Sequence, residues 1–215
     1  MTDGSLLVRF YLNQAPDRNG RKLVDIQSWD DDALESTHDY IQWMFPLPEP
    51  SAFSSDAPIL TDVDIREFKR DARIRRNLLV SYHRMLRFYG LKIYETEAAL
   101  TVAPSKKFRK RAADWLTREN HNFLRITRIL RCMQLLGFKK HSLAFLRCLR
   151  DLYATNGADN VGSETMDYWE GALKFSTTAE MLASWGKGYK VPHSRSPPLR
   201  QSASRPKLRN RPRKS

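Results

Sequence analysis

Three aspartates in a row, Asp30-Asp31-Asp32, and the adjacent pair His38-Asp39 are the side chains in this 215-residue sequence that come nearest to acid–base or cation-binding machinery. Clustered carboxylates perturb one another's protonation, or hold a divalent ion, when they converge on one point. Here the aspartates open a segment of helical periodicity, where an N-cap and an acidic first turn satisfy the free N–H groups and the helix dipole without any ligand. On that helix His38 and Asp39 point about 100° apart, so they do not form a dyad. The five histidines, at 38, 83, 121, 141 and 193, show no HxH or HExxH spacing, and the two cysteines no CxxC. Metal ligation is therefore unsupported. Cys132 and Cys148 fall in helical patterns and read as reduced core thiols, with a disulfide between neighbouring helices as the alternative. No glycine-rich phosphate loop or nucleophile elbow occurs. The sequence predicts a protein that is not an enzyme and uses neither metal nor cofactor.

Binding chemistry has two better candidates. In HDYIQWMFPLPEPS, residues 38–51, Tyr40, Trp43 and Phe45 supply rigid aromatic area, and Pro46 to Pro50 hold the edge of a groove. Asp39 or Glu49 would then pair with a peptide's N-terminal ammonium. Against this stands a core corner, with the aromatics inside and the prolines fixing a sharp exit from the helix. The second candidate is Arg125, Arg128 and Arg131, on one flank of a helix and preceded by Lys106, Lys107, Arg109, Lys110 and Arg111. They suit an anion-binding surface. The alternatives are a solvated basic face, or a structural pairing of Arg125 or Arg128 with Asp114 or Glu119.

The elements that must position these groups read as helices. LLVRFYL, residues 6–12, reads as a strand or an extended arm, and Leu23, Ile26 and Trp29 mark a short helix. A helix from Asp30 or Asp31 runs to Phe45, with Leu34, His38, Ile41 and Phe45 in one stripe and Trp43 nearly opposite Leu34. Thr61 caps the next helical segment, which breaks near Asp71-Ala72 and ends at Gly90. Residues 91–104 read as a small β-hairpin or an ordered loop. Helices then follow Ser105, Asn120 (to Gly137), His141 and Ser163, joined by short links that favour antiparallel neighbours. The fold class is all-α, an irregular multi-helix domain over residues 1–186.

The charge of +13 is unevenly placed. Residues 187–215 hold ten Lys or Arg and no acid, leaving 27 basic against 24 acidic residues in the body. This Pro/Ser/Arg-rich tail has too few apolar residues to offset ordering and reads as disordered. Within it Lys207, Arg209, Arg211, Arg213 and Lys214 suit an import receptor or loose polyanion binding. No window approaches the roughly 18 apolar residues of a membrane span, and MTDGSLLVRFYLNQ lacks the basic start of a secretory signal.

Three segments together are distinctive: HDYIQWMFPL with Glu49-Pro50-Ser51, MLRFYGL at 85–91, and NFLRITRIL at 122–130. In this order and spacing they resemble the conserved domain of the opioid growth factor receptor family, from about Arg9 to Phe175. The resemblance implies a helical domain. It also implies kinship with a vertebrate receptor for met-enkephalin that acts in growth regulation at the nucleus and perinuclear membrane, unrelated to seven-helix opioid receptors. The resulting expectation is a soluble peptide- or protein-interaction module in the cytoplasm and nucleus, with peripheral perinuclear membrane association. The alternative is a nucleic-acid-associated protein using the tail and the Lys106–Arg131 region.

Overall fold

In a computed structural model of the chain, residues 4–51 and 56–174 are described. The import residues Lys207, Arg209, Arg211, Arg213 and Lys214, and the whole 187–215 segment, lie outside them. Four short helices come first: α1 (Leu6–Tyr11), α2 (Leu23–Ser28), α3 (Asp31–Ser36) and α4 (Ile41–Met44). Two longer ones follow, α5 (Asp62–Arg70) and α6 (Ala72–Phe88), then a hairpin of β1 (Leu91–Glu95) and β2 (Leu100–Pro104). The C-terminal half is α7 (Phe108–Trp115), α8 (Asn122–Leu135), α9 (Lys139–Leu152), a π-helical turn (Tyr153–Gly157) and α10 (Ala158–Lys174), which is interrupted at Gly162. As the periodicities predict, the regular structure among the described residues is helical apart from the hairpin and isolated bridging such as that of Leu47 with Ile59. One buried cluster runs from Leu7 to Ala172 and includes both cysteines, which are free thiols.

Two expectations fail for physical reasons. Residues 6–11 are helical rather than extended. Ser5 accepts the Val8 N–H as a cap, and Leu7, Phe10 and Tyr11 form the buried face. A short apolar run does not by itself distinguish strand from helix. The expected single helix from Asp30 to Phe45 is two helices, with Thr37 extended between them at φ −96° and ψ 134°. The Asp30 cap is as predicted, accepting from the Ala33 N–H. The break comes from α8: Arg125 donates to the Leu34 and Thr37 carbonyls at 2.9 and 2.8 Å. A continuing helix would have bonded those carbonyls itself.

Other helix ends follow the sequence closely. Thr61 and Asp64 form a reciprocal capping box at the start of α5. Asp71 ends α5 and caps α6 through the Arg73 and Ile74 N–H groups. At the end of α6 the free carbonyls are met from α7, where Arg111 Nε donates to Phe88 O at 2.8 Å and Trp115 Nε1 to Tyr89 O at 3.1 Å. Gly90 lets α7 come that close. Its φ is +74°, and a Cβ there would stand 2.7 Å from the Phe108 Cα. Gly90→Ala is therefore expected to cost roughly 3 kcal/mol, adding left-handed strain to a backbone clash. Gly20 has φ +77° with nothing within 4 Å of the same point, so Gly20→Ala should cost only about 1 kcal/mol. Urea denaturation of the two variants checks the difference.

The hairpin pairs Leu91 with Pro104, Ile93 with Val102 and Glu95 with Leu100. Leu91 and Val102 are buried on its inner face, and β2 packs on α9. Helix α8 packs against both α9 and α10. Ser142 Oγ donates to Leu130 O across the first interface, and Trp169 Nε1 to Phe123 O across the second.

Candidate functional site

The aromatic-proline corner is built into the interior. Tyr40, Trp43 and Phe45 are 0%, 4% and 0% exposed, and Pro46 is buried as well. Trp43 meets Phe10 of α1 with ring centres 5.2 Å apart, while Tyr40 lies edge-on to Trp29 at 5.6 Å. Helix α4 is thus enclosed on two sides, which explains why its aromatics do not share one stripe. Tyr11 also donates its hydroxyl to Met44 O. The two acids expected to meet a ligand are engaged. Asp39 accepts from Arg21 Nη1 at 2.9 Å and from Asn19, and Glu49 accepts from Arg131 Nη2. Tyr40, Trp43, Phe45 and Pro46 form a core corner rather than an aromatic face towards solvent, while Asp39 and Glu49 stay partly exposed in separate ion pairs.

The arginine row has the same fate. Arg125 and Arg131 are 5% and 2% exposed. Arg125 grips the end of α3 through the Leu34 and Thr37 carbonyls, bonds to Asn122 Oδ1 at 3.2 Å, and lies 5.4 Å over the Tyr40 ring. Arg128 donates to Phe45 O at 3.2 Å, the C-terminal end of α4, and burial pulls its pKa down to about 10. Arg131 reaches Glu49, between Pro48 and Pro50. The i, i+3, i+6 spacing on α8 therefore holds three successive points of residues 34–49. The structural reading of these arginines stands, with different partners from those expected: Asp114 pairs with Arg111 instead, at 2.8 Å. Lys106, Lys107, Arg109 and Lys110 remain exposed, whereas Arg111 is buried. The continuous Lys106–Arg131 anion surface does not form.

Beside Arg125 lies a small polar cluster. His121 Nε2 is 3.3 Å from Glu35 Oε1, and the His38 ring centre is 5.2 Å from that of His121. Among the described residues no group of three or more His, Cys, Asp or Glu could hold a metal ion. Burial, followed by Arg125, holds the His121 pKa below its usual 6.5 in spite of Glu35. Burial also lowers His83 and His141. A histidine that is harder to protonate when folded takes up its proton first in the unfolded chain. Its contribution is complete above the unfolded pKa and declines as pH falls below it. The urea midpoint should therefore drop between about pH 7 and pH 5.5, ahead of the losses expected at lower pH, where Asp71 and Glu170, held below the usual carboxylate range by Arg73 and by Arg150, take up protons. A midpoint that holds constant down to pH 5 would contradict the histidine assignment.

An open cleft lies elsewhere, between the hairpin tip and α9, with a volume of about 320 Å³. Leu100, Leu143 and Ala144 give it an apolar floor, Glu95 and Glu97 stand on the hairpin side, and Lys140 and Arg147 on the helix side. Leu143 is 38% exposed. Among the described residues none of these four charged groups makes a hydrogen bond or ion pair through its side chain. The sequence holds one signal for this face, a leucine flanked by Lys140 at i−3 and Arg147 at i+4. The inward stripe of Leu146, Leu149 and Tyr153 obscures it.

Residues 2–194 match the family described as the opioid growth factor receptor (OGFr) conserved region. Opioid growth factor receptor-like protein 1 of Rattus norvegicus is 28% identical over 213 residues, covering 95% of this chain and 45% of the relative. The Xenopus tropicalis protein of that name is 30% identical over 78% of this chain and 33% of its own length. The opioid growth factor receptor of Homo sapiens is 35% identical over 73% of this chain and 23% of its own. The chain thus spans less than half the length of these curated relatives. No solved structure matches it. Among the described residues no helix is long and apolar enough to cross a membrane.

Proposed function

Because the chain belongs to the opioid growth factor receptor family, we propose that it is a peptide-binding module, not a catalyst, and that it takes a short peptide in the cleft between the hairpin tip and α9. The observation that carries this reading is the cleft's division of charge. Acids on one wall and bases on the other, over an apolar floor, complement a short peptide with both termini free. Glu95 and Glu97 would receive the ammonium, Lys140 and Arg147 the carboxylate, and Leu143 an apolar side chain. The same reading puts the protein in the cytoplasm and nucleus, with Lys207, Arg209, Arg211, Arg213 and Lys214 as the import segment.

The relatives named opioid growth factor receptor make the opioid growth factor peptide the probe. Calorimetric titration into the full chain should show binding that weakens about tenfold, or 1.4 kcal/mol, when either terminus is blocked. Leu143→Asp with Arg147→Glu should abolish it while leaving the circular dichroism unchanged. Equal affinity in that variant would exclude the cleft.

A further inference from the structure

We infer that the elbow between α5 and α6, together with the α8–α9 turn, is a surface for the phosphate backbone of duplex nucleic acid. Residues 66–76 hold six basic side chains against Glu67 and Asp71. That surplus of four exceeds the surplus of three carried by the whole of residues 1–186. Arg66, Lys69, Arg70, Arg73 and Arg76 are exposed. Among the described residues Arg73 alone of this set forms an ion pair, with Asp71 at 2.8 Å. Lys69 and Arg70 complement the C-terminal end of the α5 dipole, but that accounts for two of the six.

The fold adds to this surface from a distant part of the chain. At Gly137 the point where a Cβ would sit is 3.8 Å from Arg75 Nη1 and 3.8 Å from Lys69 Cγ. The Arg75 guanidinium lies 4.3 Å over the Phe138 ring, held by the turn that also carries exposed Lys139. A stacked guanidinium is already oriented, so it loses less freedom when it meets a phosphate oxygen. The nearby rings are withdrawn: Phe68 and Phe138 are 1% and 5% exposed. Unpaired bases would find no platform for stacking, which favours the duplex over a single strand. With charge but no base-reading groups converging, binding should be independent of sequence and steep in salt.

The test uses the full chain and a fluorescein-labelled DNA duplex of about 30 base pairs, titrated by anisotropy across a salt series. Lys69→Gln, Arg70→Gln and Arg76→Gln together should weaken binding at least tenfold and lower the slope of log K against log salt by about 3, one per lost phosphate contact. Lys106→Gln, Lys107→Gln and Lys110→Gln remove equal charge elsewhere and should leave the slope near that of the parent. Equal losses in the two variants would mean net charge alone, and no loss in either would mean binding through the tail. Tighter binding to the single strand, or binding only to phosphatidylserine vesicles, would also overturn the inference.

Discussion

Trp43→Ala should lower the stability of the folded protein by about 3–5 kcal/mol, the cost of emptying a site the size of an indole in a packed interior. The ring is 4% exposed and packs on Phe10, so α1 loses an aromatic partner in α4 when it is removed. The Tyr11 hydroxyl still holds Met44 O, so α1 and α4 stay joined around the emptied space and partial collapse cannot refill it. Trp43→Phe keeps an aromatic edge against Phe10 and should cost about half as much. The change in urea midpoint at constant m-value is the measurement, since it separates lost stability from altered compactness. A Trp43→Ala variant within 1 kcal/mol of the parent would place the indole at a surface.

Arg125→Met is the second large effect, expected at about 3 kcal/mol or more. Methionine retains much of the apolar stem but leaves the Leu34 and Thr37 carbonyls and Asn122 Oδ1 without their shared donor. Each buried acceptor left alone costs about 1–3 kcal/mol. Arg125→Lys keeps the charge but cannot serve separate carbonyls with one fork, so it should recover less than half of the loss. Among the described residues Arg128 donates to one carbonyl, Phe45 O, and Arg128→Met should cost only about 1 kcal/mol. The ratio between the two arginines is the informative result. Equal, small effects would return the row to the solvated face that its spacing suggests.

Local chemistry was legible where the deciding groups are neighbours in sequence. The Asp30 cap, the Thr61–Asp64 box, the break at Asp71, and the stops at Gly90 and Gly137 could all be read. Residues 91–104 were legible only as a small β-hairpin or an ordered loop, and the structure has the hairpin. Where distant groups decide, the reading failed. Nothing between Asp30 and Phe45 says that Arg125 will take the carbonyls that a continuous helix needs. Three arginines at i, i+3, i+6 look like an exposed flank, because the pattern cannot show that residues 34–49 fold over it. The two faces of α4 were visible as aromatics on opposite sides, and the choice between burial and exposure required knowing that α1 is a helix bearing Phe10. The cleft was hidden for another reason: it joins a turn to one face of α9, and neither half is distinctive alone.

The three segments that carry the family resemblance are therefore one mechanical unit. Residues 38–51 supply the corner, 122–130 the arginines that hold it, and 85–91 the helix end with Met85 beneath the Tyr40 hydroxyl. Packing and hydrogen bonding within this fold account for their residue types, and the proposed peptide site uses other residues. Hydrogen–deuterium exchange of the full chain with and without the opioid growth factor peptide tests that division directly. The account predicts new protection at residues 95–101 and 140–147, with residues 39–49 slow to exchange in both states and unchanged. Peptide-dependent protection of 39–49, with none at the cleft, would contradict it.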